Sequence, residues 1–95
     1  MENYKPNPIN TSDIVLSSDL EELVELLAEN SHEVWAFNRM QEGWTYGSTR
    51  DDSLKQTPCM CHYNDLPDNE KTYDRNSAIE TIKVLIKLGY TVKKA

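Results

Sequence analysis

Two tryptophans, two arginines and a tyrosine lie within 16 residues of this 95-residue chain. A guanidinium group beside an indole ring can stack on a flat ligand and can also hold a phosphate or carboxylate. Trp35 and Arg39 are four residues apart on a predicted helix, so they share one face. The pattern predicts a binding site for a small anionic, aromatic molecule of the nucleotide type. Its residues are Trp35, Arg39, Trp44, Tyr46 and Arg50.

The same residues also permit a purely structural interpretation. A chain of this length buries only roughly 65% of its unfolded surface, so its core is thin and large rings are useful in it. On this interpretation the indole rings complete the core, while Arg39 and Arg50 pair with nearby carboxylates. Those carboxylates belong to Glu42, Asp51, Asp52 and Asp74. The spacing alone leaves both interpretations open.

The first of two amphipathic helices is predicted to carry Trp35 and Arg39. Ser18 is the expected N-cap, and Glu21 would complete a capping box with it. The helix is expected to run to Glu42, with Gly43 in the C′ position and Trp44 at C″. Helical spacing predicts that one face is buried, formed by Leu20, Leu23, Val24, Leu27, Ser31 and Val34.

The second helix is expected to begin near Pro67, a residue favoured in a first helical turn. Gly89 is expected to end it, with Tyr90 packing back on Leu85 in a Schellman motif. Its predicted buried stripe consists of Ala78, Ile79, Ile82, Leu85 and Ile86. Two long helices with short connections pack as an antiparallel pair.

The predicted fold is therefore mainly α, an antiparallel pair of long helices with an ordered Trp/Tyr loop between them. One domain is expected to span residues 1–95, with residues 1–12 as an extended arm. Short β-strands are a further expectation near the two termini, at residues 14–16 and 91–93. Because two helices bury little by themselves, the arm and the aromatic loop are expected to supply the remaining walls of the core.

The charge of the chain is distributed unevenly around its net value of −6. Residues 1–35 hold one Lys against eight acids, residues 36–64 hold three of each sign, and residues 65–95 hold six basic and five acidic residues. An acidic chain without a basic stripe binds a phosphate backbone poorly, so no nucleic-acid polymer is expected as a partner. No apolar run approaches the ~18 residues of a membrane span, and no signal peptide is recognisable. A cytoplasmic protein without a membrane partner is expected.

Catalytic and metal-binding patterns are weak. The segment 59–62, Cys-Met-Cys-His, resembles part of a zinc site, but a structural site needs four ligands and only His32 is left as a soft fourth donor. No spacing joins either cysteine to a histidine as nucleophile and base, and the adjacent acids Asp51 and Asp52 cannot both face one cleft. His32, beside Glu33, is expected at the surface or at an interface. We expect no enzyme activity, no metal and no cofactor.

A longer pattern surrounds the aromatic residues, and it covers nearly the whole chain. Its centre is residues 28–36 (AENSHEVWA), 43–47 (GWTYG) and 50–52 (RDD). It continues through Tyr4, Pro6, Pro8, Tyr63, Leu66, Glu70, Lys71, Asp74, Arg75 and the segment 88–90. The pattern resembles the RyR domain, a repeat found in pairs in the cytoplasmic part of ryanodine receptors and as isolated copies in prokaryotic proteins.

The resemblance implies a mainly α fold and a non-catalytic regulatory role. Aromatic residues of the paired repeats are implicated in binding flat, nucleotide-like or drug-like ligands, which implies a ligand site around Trp35. Where the family usually has a Leu-Val-Pro-Tyr-like stretch, this chain has Met, Cys, His and Tyr at 60–63. The Cys/His fragment is therefore not a family site. A cleft between two repeats would require a dimer of this single copy.

An alternative function is a protein–protein interaction or homo-oligomerisation module that takes no small-molecule ligand. The asymmetric charge and the thin core favour it, because a module with little core of its own gains stability by docking. The sequence does not name a ligand or a partner, and it does not decide whether Trp35 and Trp44 belong to the core or to a site.

Overall fold

A computed structural model describes residues 3–95 of the chain; residues 1 and 2 of the expected arm and domain lie outside the described part. Two helices dominate it, α1 at Ser18–Gln41 and α2 at Asp68–Lys87. The fold is therefore mainly α, as predicted. No helix among the described residues combines the length and the apolar character that crossing a membrane requires.

The start of α1 differs from the prediction. Ser17, not Ser18, is the N-cap, and its side chain makes no capping hydrogen bond. The amides of Leu20 and Glu21 instead donate to the carbonyl oxygen of Ser17, at 3.0 and 3.3 Å. Helical geometry has already begun at Ser18, so a capping box between Ser18 and Glu21 is not formed. Glu21 still lies in the first turn, where the helix dipole favours an acid.

Both helices end in the same motif, and both ends agree with the prediction to within a residue. Gly43 and Gly89 have positive φ angles of 92° and 97°, the left-handed conformation that glycine adopts most easily. At the end of α2, the amide of Gly89 donates to Ile86 O and the amide of Tyr90 donates to Leu85 O, each at 3.0 Å. This pair of bonds is the predicted Schellman motif.

The core between the helices shows their antiparallel packing. Leu20 and Val24, early in α1, pack with Ala78 and Ile82, late in α2. Glu25, the residue after Val24 in α1, accepts two hydrogen bonds from Arg75, at 2.7 and 2.9 Å. Arg75 precedes Ala78 in α2, so later positions of α1 meet earlier positions of α2. Half-buried side chains surround this cluster: Leu16, Leu23, Leu27, Ile79, Ile86 and Val92.

The second half of α1 buries a different face from the predicted one. Ser31 and Val34, expected inside, are exposed, whereas Ala28 and His32 are buried. Here α1 packs against Tyr63, in a single 3-10 turn at Tyr63–Asp65, and against Leu66. These partners lie on the Ala28 side of the helix, so the buried stripe follows i, i+4 steps instead of the predicted path. On α2, Leu85 is 39% exposed, while the rest of its predicted stripe is buried or half-buried.

The short strands lie in the loop between the helices and not near the termini. Strand β1 (Thr45–Tyr46) pairs in parallel with β2 (Gln56–Thr57). Residues 14–16 and 91–93 form no strand. Leu16 and Val92 pack directly on the helix core, so each segment is held by side-chain contacts and has no neighbouring strand to pair with.

The N-terminal arm is extended but contributes less to the core than expected. Residues 3–10 are exposed. The arm is anchored at Thr11, which is 6% exposed and whose hydroxyl donates to Glu80 Oε2 at 2.8 Å. The aromatic loop, by contrast, supplies the buried Trp44 and Tyr63 to the interior.

Candidate functional site

The end of α1 positions Trp44 against Arg39. The amide of Gly43 donates to Met40 O and the amide of Trp44 donates to Arg39 O, each at 3.0 Å. These bonds form a Schellman motif, in which the C″ residue usually makes an apolar contact with the C3 residue. Here C″ is Trp44 and C3 is Arg39. An indole–guanidinium contact therefore takes the place of the usual apolar pair.

Five flat side chains stack in one continuous series. The His32 ring lies 5.7 Å from the Trp35 ring, with 26° between their planes. The Cζ atom of Arg39 lies 6.0 Å from the Trp35 ring centroid and 5.4 Å from that of Trp44. The Cζ atom of Arg50 lies 5.6 Å from the Trp44 centroid. These distances are in the range of cation–π attraction. We call His32, Trp35, Arg39, Trp44 and Arg50 the aromatic–guanidinium stack.

Solvent exposure separates the members of the stack into two groups. Trp44 is only 8% exposed, and it contacts two guanidinium groups, so little of its ring is accessible to a ligand. The side chains of Arg39 and Arg50 are 37% and 64% exposed. Trp44 is thus a buried support, and the two cations that contact it reach the solvent. Trp35 is half-buried.

Two of the carboxylate pairings expected from the structural interpretation are present. Arg50 Nε donates to Asp52 Oδ1 at 2.8 Å, and Arg39 lies 4.0 Å from Glu42. Asp51 is engaged elsewhere, because its Oδ1 atom accepts hydrogen bonds from the amide and hydroxyl of Ser53 and from the amide of Leu54. The Arg39 pair is long, so this guanidinium is held mainly by the two indole rings.

The loop that carries Arg50 is fixed by backbone bonds. The amide of Asp51 donates to Gln56 O at 2.9 Å, and the amide of Gln56 donates to Asp51 O at 3.0 Å. Gly47 passes so close that a Cβ atom there would lie 2.6 Å from Gln56 Cβ. A side chain at Gly47 would therefore displace Gln56. It would also disturb the pair of backbone hydrogen bonds between Asp51 and Gln56, which holds Arg50 near Trp44.

Tyr46 is the one predicted site residue for which no stacking contact is found among the described residues. It lies in β1, two residues after Trp44, and 61% of it is exposed. The structure thus brings together four of the five predicted residues and leaves the Tyr46 ring open to solvent.

His32 was not predicted as part of this cluster, and its expected surface position is wrong. It is 4% exposed. Its Nε2 atom lies 2.6 Å from Cys61 O, and a carbonyl oxygen can only accept, so Nε2 carries the proton and donates it. The signal in the sequence was the i, i+4 series of Leu20, Val24 and Ala28, which continues to His32 and places it on the buried face.

The ionisable groups around the stack do not form a nucleophile or a metal site. Burial raises the pKa of the Cys59 and Cys61 thiols, so both stay protonated at neutral pH. Burial also raises the pKa of Asp74, an effect that the nearby His32 partly opposes. Among residues 3–95, no three His, Cys, Asp or Glu side chains are grouped so that they could hold a metal ion.

Two surface clefts, of about 630 and about 450 Å³, lie away from the stack. The larger is formed by the first turns of α1 and residues 92–94, and the smaller by residues 12–16 with the facing sides of the two helices.

The fold and the stack define a small, mainly α module that presents two ring-supported guanidinium groups to solvent. Comparison with protein families gives a match to the model of the RyR domain over residues 4–94. Since the match covers nearly the whole chain, the protein belongs to the RyR domain family. The resemblance drawn from the sequence is confirmed.

Proposed function

We propose that this RyR domain is a non-catalytic, regulatory binding module for a small anionic, aromatic ligand of the nucleotide class. The observation that carries the proposal is the pair of guanidinium groups on Trp44. Arg39 and Arg50 lie 5.4 and 5.6 Å from the same indole ring, yet both reach the solvent. A phosphate group bound at either guanidinium would receive charge-assisted hydrogen bonds from a planar donor.

The rigid setting of the two arginines favours affinity. A free arginine side chain loses rotamer freedom when it binds a ligand, at a cost of about 0.5–1.5 kcal/mol. Contacts with Trp35 and Trp44 have already restricted Arg39, so less of this freedom remains to be lost. Arg50 must exchange its bond with Asp52 for the ligand, whereas Arg39 has only the long contact with Glu42 to give up. Arg39 is therefore the stronger anchor.

The aromatic part of the ligand has two surfaces available. Trp35 is half-buried, and Tyr46 presents an exposed ring two residues after Trp44. Base–aromatic stacking is worth ~1–3 kcal/mol per base, so one such contact would add usefully to the phosphate bonds. The net charge of −6 favours a single small ligand over a nucleic-acid polymer.

The proposal describes binding without catalysis. The exposed part of the site offers guanidinium and aromatic groups, which hold an anion but do not take up a proton at neutral pH. The nearby cysteines are free and protonated, so they are poor nucleophiles. Free thiols also agree with a reducing compartment, and a cytoplasmic location is part of the proposal.

Titration of the purified protein with ATP, AMP, adenosine and inorganic phosphate tests the proposal. Trp35 and Trp44 are the two tryptophans of the chain, so intrinsic fluorescence reports directly on the site. ATP and AMP should bind more tightly than adenosine or inorganic phosphate. Adenosine lacks the phosphate group that the arginines bind, and inorganic phosphate lacks the aromatic base. Arg39→Gln should weaken nucleotide binding by about 10- to 100-fold, since a hydrogen bond to a charged group contributes ~1.5–3 kcal/mol.

Lys94→Gln is the matched control, because it removes one positive charge from an exposed position far from the stack. It should leave nucleotide affinity unchanged. If no nucleotide binds at millimolar concentration, or if Lys94→Gln weakens binding as much as Arg39→Gln does, the proposed site is wrong. Trp35→Ala must also reduce affinity beyond its effect on stability.

A protein-interaction module is the second candidate function. The face of α1 that points away from α2 exposes a row of large apolar side chains, and such residues favour docking when they are contiguous. They are Leu26, Val34, Phe37 and Met40, between 52% and 63% exposed. A partner chain, or a second copy of this protein, would cover them.

A further inference from the structure

The end of the helix pair opposite the stack contains the cleft of about 630 Å³. Apolar side chains form its interior: Leu20, Leu23 and Leu26 from α1 and Val92 from the C-terminal segment. Asp19 and Glu22 line its α1 side, and Lys93 and Lys94 line the opposite side. At ~1.5 Å per residue, the 16 residues from Leu23 to Arg39 place the cleft about 24 Å from the stack along α1.

The two sides of this cleft belong to regions of opposite charge. Residues 13–35 contain seven acids and no Lys or Arg, whereas residues 81–95 contain four Lys and no acid. Antiparallel packing brings the beginning of α1 and the end of α2 to the same end of the molecule. Both charged regions are therefore displayed side by side on one end.

The charges that line the cleft are not used within the described part of the chain. Four ion pairs join residues of that part, and they use Arg39, Arg50, Arg75 and Lys87 as the cations. None of the four involves Asp19, Glu22, Lys93 or Lys94. Leu26, Leu88 and Tyr90 are 60–65% exposed at or near this end, so apolar surface accompanies the unused charges.

We infer that this end binds a second copy of the same chain in a two-fold symmetric dimer. A two-fold rotation brings the acidic side of each cleft opposite the basic side of the other, because both lie at one end of the protein. Asp19 and Glu22 of one copy then face Lys93 and Lys94 of its partner, and this pairing occurs twice. The apolar interior of the cleft is covered in the same step.

This dimer is a protein interaction, as in the second candidate function, but it uses the cleft and not the exposed face that carries Val34, Phe37 and Met40. It does not depend on the ligand site. The charge pattern selects a second copy over an unrelated apolar partner, since each chain carries both halves of the complementary surface. Like charges placed across an interface cost several kcal/mol, so the pattern also disfavours a rotated arrangement of the two copies.

Sedimentation equilibrium of charge-reversed variants tests the dimer. Asp19→Lys with Glu22→Lys makes both sides of the cleft basic, and Lys93→Glu with Lys94→Glu makes both sides acidic. Each double variant should dimerise at least about tenfold more weakly than the wild-type chain. Like charges then face each other at both of the symmetric contacts, where opposite charges face each other in the wild type. An equimolar mixture of the two variants should form a heterodimer, since each reversed side then meets its complement.

Glu29→Lys with Glu33→Lys is the matched control, because it makes the same charge change on the same helix outside the cleft. It should leave the dimerisation constant within about twofold of the wild type. Far-UV circular dichroism checks that each variant is folded. If the variant with Asp19→Lys and Glu22→Lys does not fold, the variant with Lys93→Glu and Lys94→Glu decides alone. Its substitutions lie in an exposed segment.

Three results would overturn the dimer. The first is a wild-type chain that remains monomeric at ~1 mM, the weakest affinity worth calling specific. The second is dimerisation that none of the cleft variants weakens. The third is a mixture of the two reversed variants that stays monomeric. Nucleotide titration of the same samples keeps this outcome separate from that of the ligand site, because binding at the stack should persist in every variant.

Discussion

Replacement of Trp44 by alanine should destabilise the protein more than any other single change in the aromatic–guanidinium stack. Trp44 is 8% exposed, whereas Trp35 is only half-buried. A buried tryptophan removes about 150–250 Å² from water, worth about 4–6 kcal/mol at 25 cal/mol per Å² as an upper bound. Its two cation–π contacts add ~0.5–1 kcal/mol each.

The expected net loss for Trp44→Ala is smaller than the sum of these contributions. The loop can partly close around the gap, and measured Trp-to-Ala changes in cores cost about 3–5 kcal/mol. We therefore expect a loss of about 4 kcal/mol, a large share of the ~5–15 kcal/mol that holds a domain of this kind folded. The midpoint of thermal unfolding should fall by about 15–30 °C, at 4–8 °C per kcal/mol for a small domain.

Urea unfolding followed by circular dichroism at 222 nm measures this loss, with Trp35→Ala as the matched comparison. Trp35→Ala should cost about 1–2 kcal/mol, because part of the ring is already in water. The dependence on urea concentration should be the same in both variants, so the comparison concerns stability alone. A loss below about 1 kcal/mol for Trp44→Ala, or a larger loss for Trp35→Ala, would refute the assignment of Trp44 as the buried support.

Three further changes test the scaffold, each by urea unfolding. Gly47→Ala should cost about 1–3 kcal/mol, since its Cβ would lie 2.6 Å from Gln56 Cβ; an unchanged midpoint would show that the loop can move aside. Hydrogen bonds from Arg75 hold the pKa of Glu25 below its ordinary 4.5. The ionised carboxylate therefore stabilises the fold above pH 4.5, and this contribution disappears as the pH falls through the lowered value. Glu25→Gln should flatten the dependence of the free energy of unfolding on pH in that acidic range, and an unaltered dependence would contradict the pairing. Burial raises the pKa of Asp74 above 3.8, so stability falls as the pH rises from 3.8 through the raised value, and the full loss is present at higher pH. Asp74→Asn should therefore stabilise the protein at pH 7 but not near about pH 3. Destabilisation at pH 7 would mean that the charge has a partner.

Local sequence patterns determined the helices and the core of the candidate site. The glycines at 43 and 89 and the helical spacing located both helix ends to within a residue. Placing Trp44 at C″ required only the chain itself, because a Schellman motif is built from consecutive residues. For the same reason the Trp35–Arg39 and Arg39–Trp44 contacts could be predicted, since each joins residues at most five apart.

Only the tertiary structure decided which residues of α1 face inward and where Arg50 contacts Trp44. His32 is buried because its helix face meets Cys61, 29 residues away. The i, i+4 series from Leu20 marks this face as one candidate for burial, and the packing of the loop decides between it and the predicted face. Tyr46 lies two residues from Trp44 but outside the stack, because β1 pairs with β2 and leaves the ring in solvent. Arg50 contacts Trp44 because its loop is held by the backbone bridge between Asp51 and Gln56. Contacts within a helical turn follow from backbone geometry. The surroundings of His32, Tyr46 and Arg50 depend instead on how separate segments pack, and the sequence pattern of each segment leaves that packing undetermined.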